Sequence, residues 1–312
     1  MTISVHFILL PGFALLDLAG PAEALRISQR YVSDLTLHYA GPVTLPLCSL
    51  GMTLQDTAPL PDSLPPNAWL IIPGFSTLIA EGCNSILQQI IVWLEEVLRP
   101  DVRLVCIYSA VLLVGAAGLL DDRPCTIHHT LVEQLKQVAP AARVKSDRIF
   151  VIDRNIATSA GVTTGIDLTL ELIARQFGPK VAVAVSRDMV IWRRRDGDTP
   201  QLSPFQDYRD HMHPAIHRVQ DAIAAEPAGD WSLDSLAAIA CVSTRHLARL
   251  FKLHIGIAPL DYRQRMQLAN IEPLLRQKDY SLEKIAEIGG FGSARDLRRV
   301  WRKQRGEPLP GR

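Results

Sequence analysis

The chain has 312 residues, 48% hydrophobic and 21% charged, which excludes a disordered protein and leaves room for two domains, one with a sizeable core. Its net charge of +1 hides a division: residues 213–312 hold 16 Lys and Arg against 11 Asp and Glu, whereas residues 1–212 hold 17 against 21. Only the C-terminal part has the sign that phosphate contacts need.

The first residues, Ile3-Ser4-Val5-His6-Phe7-Ile8-Leu9-Leu10, lack a basic leader and a small-residue cleavage site, which predicts a buried strand rather than a signal peptide. Further strands are predicted at 36–40, 69–72, 103–108, 149–152 and 156–159. Helices are predicted at about 20–29, 84–98, 109–119, 130–138, 165–177 and 179–190. Apolar runs alternating with helices predict a parallel sheet covered on both faces, with a hairpin appended at Asp153-Arg154-Asn155. Ligands bind such sheets beyond the carboxyl ends of the strands, here Pro11-Gly12-Phe13, Pro73-Gly74-Phe75 and Tyr108-Ser109-Ala110.

The apolar stretch 110–120 is too short to span a bilayer, so no membrane is expected. Cysteines at 48, 83, 106, 125 and 241 show no C-x-x-C spacing, which predicts a reduced, cytoplasmic protein without a structural zinc site; no metal and no cofactor are expected. Arg193-Arg194-Arg195-Asp196-Gly197-Asp198-Thr199-Pro200 has no apolar period and reads as an exposed linker, its arginines either solvated or touching DNA phosphate. The domains expected are 1–190, a linker at 191–212, and 213–312. His211 and His213 resemble a metal pair only superficially, because no third ligand is apparent.

The last hundred residues contain one pattern twice. Trp231-Ser232-Leu233-Asp234-Ser235-Leu236-Ala237 returns 49 residues later as Tyr280-Ser281-Leu282-Glu283-Lys284-Ile285-Ala286. After one inserted residue, Ser243, Leu247, Arg249, Phe251 and Gly256 answer to Ser293, Leu297, Arg299, Trp301 and Gly306. Each copy reads as helix, tight turn, helix, the unit that lays a second helix into the DNA major groove. Ser232, Ser281, Ser243 and Ser293 are placed as N-caps, with Asp234 and Glu283 in first turns where the helix dipole favours an anion. Pro259 suits the start of the helix joining the copies, at 259–277, whereas Pro273 predicts a kink near 269–272.

Pro11-Gly12-Phe13 through Glu23, Gly115 to Leu120 with Thr126-Ile127-His128, and Thr158 to Asp167 resemble PfpI-like domains of the class I glutamine amidotransferase-like superfamily. Ser243 to Phe251, Gly290-Phe291-Gly292-Ser293 and Gly306-Glu307-Pro308 resemble the AraC/XylS DNA-binding domain, and the combined order is similar to GlxA-type transcriptional regulators. The resemblance implies a flavodoxin-like α/β domain, followed by an all-α domain with two helix-turn-helix motifs. It also implies double-stranded DNA, a small-molecule effector such as a nitrogenous metabolite and RNA polymerase as partners, activation, and a homodimer through the first domain.

In that alignment the hydrolases' nucleophilic cysteine falls on Tyr108, Glu23 and His128 match the acid and histidine, and His129 stands where relatives often carry tryptophan. A phenol is a poor substitute for a thiol, so thiol chemistry is expected to be lost, and Cys106, two positions earlier, reads as a buried small hydrophobe. Phe13, Glu23, Gly74, Phe75, Tyr108, Ser109 and His128 then form a candidate ligand pocket. Glu23 is open to a second reading as a buried acid bonded to the elbow backbone, and His128, Phe13 and Phe75 as packing. By the same resemblance the base-reading positions are Thr244, Arg245 and Arg249, then Ala294, Arg295, Asp296 and Arg299. Lys252 and Ser293 read as phosphate contacts, and Asp296 is open to a second role capping its own helix. Arginine can bond guanine O6 and N7 together, which puts Arg245 and Arg295 first. A hydrolase fused to a DNA-binding module and a constitutive regulator whose first domain only dimerises are the alternatives.

Overall fold

Strands that are apolar on both faces must lie inside a covered sheet, and Trp69–Ile72 is buried at every position. The computed structural model describes residues 2–76, 84–192, 194–202, 205–276, 280–306 and 308–309; Cys83, Arg193, Gln277 and Glu307 lie outside them. The chain divides into two units, Met1–Gln201 and Leu202–Arg312.

In the first unit the strands are β1 (Ile3–Ile8), β2 (Leu35–Gly41), β3 (Ala58–Pro59), β4 (Trp69–Ile72), β5 (Arg103–Ile107), β6 (Pro124–Cys125), β7 (Arg143–Val144), β8 (Phe150–Asp153) and β9 (Ile156–Ser159). Seven of them form one sheet in the order β3-β2-β1-β4-β5-β9-β8, and β6 pairs with β7 separately. The sheet is parallel except for β8, which returns on β9 with Asp153 opposite Ile156, so the predicted hairpin is present. Leu70, Ile72, Leu104 and Cys106 pack on one face with α2 (Asn84–Val97), α3 (Ala110–Ala116) and α4 (Val132–Val138). Trp69, Ile71, Val105 and Ile107 pack on the other with α1 (Leu15–Ser28), α5 (Thr163–Phe177) and α6 (Pro179–Asp188). The chain leaves β1 for β2 on one side and returns to β4 on the other, which opens a crevice beyond their carboxyl ends.

Helix α1 begins at Leu15 rather than near 20 and runs through Pro21. Burial of Leu18 and Leu25 holds this turn against the proline's lost N–H. The two-residue strands β3, β6 and β7 are too short for any hydrophobic period to reveal.

The exposed linker expected at 191–212 is bonded to the first unit over its first half. Arg195 donates to buried Asp167 (2.9 Å) and to Thr163 (2.8 Å) on α5, and Arg194 bonds Glu171 (3.2 Å). A carboxylate buried like Asp167 needs a partner charge, and the arginines satisfy acids of their own unit.

The second unit is six helices among the described residues: α7 (Pro214–Ala225), α8 (Leu233–Ala240), α9 (Thr244–His254), α10 (Pro259–Arg276), α11 (Leu282–Ile288) and α12 (Ala294–Arg305). Tyr262 and Met266, early in α10, join Leu236, Leu247 and Phe251 in one core. Leu268 and Ile271, further along, join Ile285, Leu297 and Trp301 in a second. One long helix is thus shared between two small cores. α10 continues as a helix through Pro273 to Arg276, although the proline has no N–H to give the Ala269 carbonyl four residues back. Among the described residues no helix is long and apolar enough to cross a membrane.

Candidate nucleic-acid interface and the strand-end elbow

At the end of β5 the backbone turns sharply into α3, and Tyr108 at the apex has φ +56°, a conformation costly for a side-chain-bearing residue. Two glycines make room for it. A Cβ on Gly74 would lie 2.7 Å from the Cβ of Tyr108, and one on Gly161 would lie 2.4 Å from it. Buried Ser109 ties the elbow to the β4 end, its Oγ accepting from the Phe75 N–H (2.8 Å) and donating to the Phe75 carbonyl (2.6 Å). The His128 ring meets Tyr108 edge to face at 5.1 Å, and its Nδ1 lies 2.8 Å from Thr130 Oγ1. Burial, helped by the neighbouring His129, lowers the His128 pKa.

The acid at the elbow is Asp17, which the sequence reading missed. It is 1% exposed and accepts N–H bonds from Val162 (2.6 Å) and Gly74 (3.2 Å), joining the segments that follow β9 and β4. Burial raises its pKa to about 6 despite those two bonds. Glu23 is corrected on both readings. It is exposed, bonds Arg26 at 2.8 Å, and that bond pulls its pKa down. Six residues at about 100° each place it about 120° around α1 from Asp17, away from the elbow.

Phe13 and Phe75 pair across the loop ends at 1% and 6% exposure, so both pack as wall rather than offer a face to a ligand. Cys106 is fully buried in β5, and that burial, with Cys125 nearby, pushes its thiol far up. A separate cleft of about 1300 Å³ opens at the amino ends of the strands, between Asn67, Trp69, Arg103 and Asn155, and no elbow residue lines it.

In the second unit all four predicted serine caps form. Ser232 accepts from the Ser235 N–H (3.0 Å), Ser243 from His246 (3.3 Å), Ser281 from Lys284 (3.2 Å) and Ser293 from Asp296 (3.1 Å). The turns match as well. The Val242 N–H reaches the Ala237 carbonyl (3.1 Å), and Phe291 reaches Ala286 (2.9 Å) at the same offset of 49, so Gly292 is the inserted residue.

The repeat also extends further back than the sequence reading took it. Arg218 on α7 donates to the carbonyls of Ala240 (2.8 Å) and Ile239 (3.2 Å). Gln267 on α10, again 49 residues on, donates to those of Gly289 and Gly290, both 3.1 Å. The offset itself was the signal that would have found them.

The helices after each turn, α9 and α12, bury Leu247, Leu250 and Phe251, or Leu297, Val300 and Trp301. Their outer faces expose Arg245, Arg249 and Lys252 on α9, and Arg295, Arg298, Arg299 and Arg302 on α12. The α12 guanidinium groups and Lys303 border a groove of about 460 Å³. Thr244 is half-buried and Ser293 is a cap with an exposed residue surface, whereas Ala294 is corrected: at 7% exposure it packs inward. Asp296 holds Arg299 (2.6 Å), Arg249 meets His246 (3.1 Å), and Lys252 donates to the Gly256 carbonyl (3.0 Å). Arg245, Arg295, Arg298 and Arg302 bond no described residue. His217 and His254 join His211 and His213, yet no group among the described residues has the geometry for a metal ion.

The DJ-1/PfpI family matches residues 3–175, and a helix-turn-helix domain matches residues 236–309. Among curated relatives, the HTH-type transcriptional regulator CdhR of Pseudomonas aeruginosa is 29% identical over 309 residues, covering 95% of this chain and 87% of that protein. The HTH-type transcriptional regulator GlxA of Rhizobium meliloti is 33% identical over 202 residues, 64% of this chain and 61% of that protein. A solved THiJ/PfpI family protein from Pseudomonas syringae superposes with a TM-score of 0.52 at 20% identity, over 77% of this chain and 91% of its own, a likeness of fold alone. The chain belongs to the DJ-1/PfpI family, with an AraC-type helix-turn-helix region following the family domain.

Proposed function

We propose that the chain is a cytoplasmic, sequence-specific DNA-binding transcription regulator, an activator whose first unit senses a small molecule at the elbow. The observation that carries this is a capped helix-turn-helix present twice, each copy with a second helix that turns arginines outward. Arg245 and Arg295 read bases in this proposal, Arg298 and Arg302 hold phosphates, and Asp296 must release Arg299 before either touches a base. The named regulators CdhR and GlxA support it. Dimerisation through the first unit and contact with RNA polymerase complete the reading.

The test is selection of duplexes from a random library by the full chain. Success is one enriched sequence with two contacted segments about 10.5 base pairs apart, bound less tightly as salt rises. Binding that enriches nothing overturns it.

The elbow supports sensing without catalysis, because Tyr108 occupies the apex and the nearest upstream thiol, Cys106, is buried with its pKa raised. Labelling of the folded protein by a thiol reagent is expected to modify exposed Cys241 and spare Cys106 until unfolding. Rapid modification of Cys106 would restore the hydrolase reading. A thermal-shift screen of small amines and amino acids tests for the effector, since stabilisation follows affinity.

A further inference from the structure

We propose that Gln201 is a positioning residue for the elbow site, holding the 126–129 segment that carries His128 and tying it to the point where the chain leaves the first unit. The inference rests on the elbow being the sensory site. Gln201 is the last residue of the first unit, and its side-chain amide is bonded at both its nitrogen and its oxygen. Its Nε2 lies 2.8 Å from the Ile127 carbonyl, 3.0 Å from that of Arg148, 3.2 Å from that of Ser146 and 3.3 Å from Thr126 Oγ1. Its Oε1 accepts the His129 N–H at 2.8 Å. Two amide hydrogens and one oxygen thus serve five groups, the donors being shared.

His128 lies between two of those anchors, Ile127 and His129, and its ring meets Tyr108. The preceding residues are secured as well: Ile149 donates to the carbonyls of Thr199 (3.1 Å) and Gly197 (3.2 Å), and Arg195 bonds Asp167. A molecule that shifts His128 against Tyr108 therefore moves the backbone that Gln201 holds, one residue before the second unit begins at Leu202. Such coupling is reciprocal: releasing Gln201 loosens His128, and disturbing His128 loosens residues 194–201.

The test uses the full chain with Gln201→Ala, hydrogen exchange at single amides and an NMR titration of the His128 ring. The His129 amide is expected to exchange about fivefold faster, as loss of one hydrogen bond predicts. Amides of β4 and β5 keep their protection. The His128 titration moves up toward its ordinary value, because a loosened ring regains water. Loss of one surface amide with no positioning role would not move that titration.

The reverse arm leaves Gln201 untouched, so it decides the matter even where Gln201→Ala fails to fold. In His128→Ala, trypsin is expected to cut after Arg194 and Arg195 faster than in the parent. Unchanged His128 titration in the first variant, or unchanged cleavage in the second, overturns the proposal. Affinity for the selected duplex is measured on the same samples. A parent chain that binds its duplex while these readouts stay flat loses the positioning role and keeps the regulator reading. A chain that selects no duplex loses that reading, whatever His128 does.

Discussion

The two helix-turn-helix copies share a plan but solve it with different residues. Each turn puts one residue in the left-handed region. In the first it is Cys241 at φ +56°, in the second Gly290 at φ +68°. Each turn's carbonyls are held from the preceding helix, by exposed Arg218 in one and by Gln267, 2% exposed, in the other. The second copy is therefore closed around a buried amide and a glycine, and the first around a solvated guanidinium and a strained cysteine. Their outer faces differ too. Arg245 alone of the α9 cations considered bonds no described residue, whereas α12 has Arg295, Arg298 and Arg302. Repetition preserves the geometry of capping and turning, and leaves the chemistry of each position free to drift.

The largest effect expected is at Gly290. A Cβ there would stand 2.2 Å from the carbonyl oxygen of Ala228, a backbone atom that cannot swing aside. Left-handed strain and the overlap together predict a loss of about 3 kcal/mol for Gly290→Ala, read by urea unfolding of the full chain. A loss under about 1 kcal/mol would mean the two turns are equally tolerant. Next is Gln267→Leu, which leaves two carbonyls near the second core without their donor and is expected to cost about 2–3 kcal/mol. Arg218→Met is the contrasting variant, because water can replace an exposed donor, and about 1 kcal/mol or less is expected. Equal losses would erase the distinction between a buried and a solvated clasp.

What could be read in the sequence follows from how local the physics is. A serine cap needs only its own hydroxyl and an N–H three residues on, and all four were legible. Strand ends were legible because Pro-Gly stops an apolar run at 11–12 and 73–74. The elbow acid was not. Asp17 and Glu23 sit on one helix, and only the approach of Gly74 and Val162 from other elements selects between them. Gln201 was hidden for the same reason, its partners lying between 53 and 75 residues away in a segment that looks like free linker. Polar residues whose bonds cross the fold are the ones composition cannot place.

The outer faces give the next comparison, now in DNA affinity. Arg295→Ala and Arg245→Ala are each expected to cost about 1–3 kcal/mol on the selected duplex and to relax base preference at one position. Arg298→Ala and Arg302→Ala are expected to weaken all duplexes alike and to lower the salt slope by about 1 each. Electrophoretic mobility shifts over a salt series separate the two outcomes. A uniform loss for Arg295→Ala would move it to the phosphate group, and would leave base reading to the first copy.

The smallest effect expected is also the one that isolates the turns from everything else. Cys241 is exposed and free, so replacing it removes little packing. A non-glycine residue in the left-handed region costs about 1–2 kcal/mol, and a glycine gives back about 0.4–1 kcal/mol through the freer unfolded chain. Cys241→Gly is therefore expected to lie between neutral and about 1 kcal/mol more stable, measured by the same urea titration. The sign matters more than the size. Destabilisation would mean that the thiol, 3.9 Å from the Ile239 carbonyl, contributes a bond the first turn relies on. Neutrality or gain would mean that the cysteine is tolerated strain, and that the glycine of the second copy is the better answer to the same backbone demand.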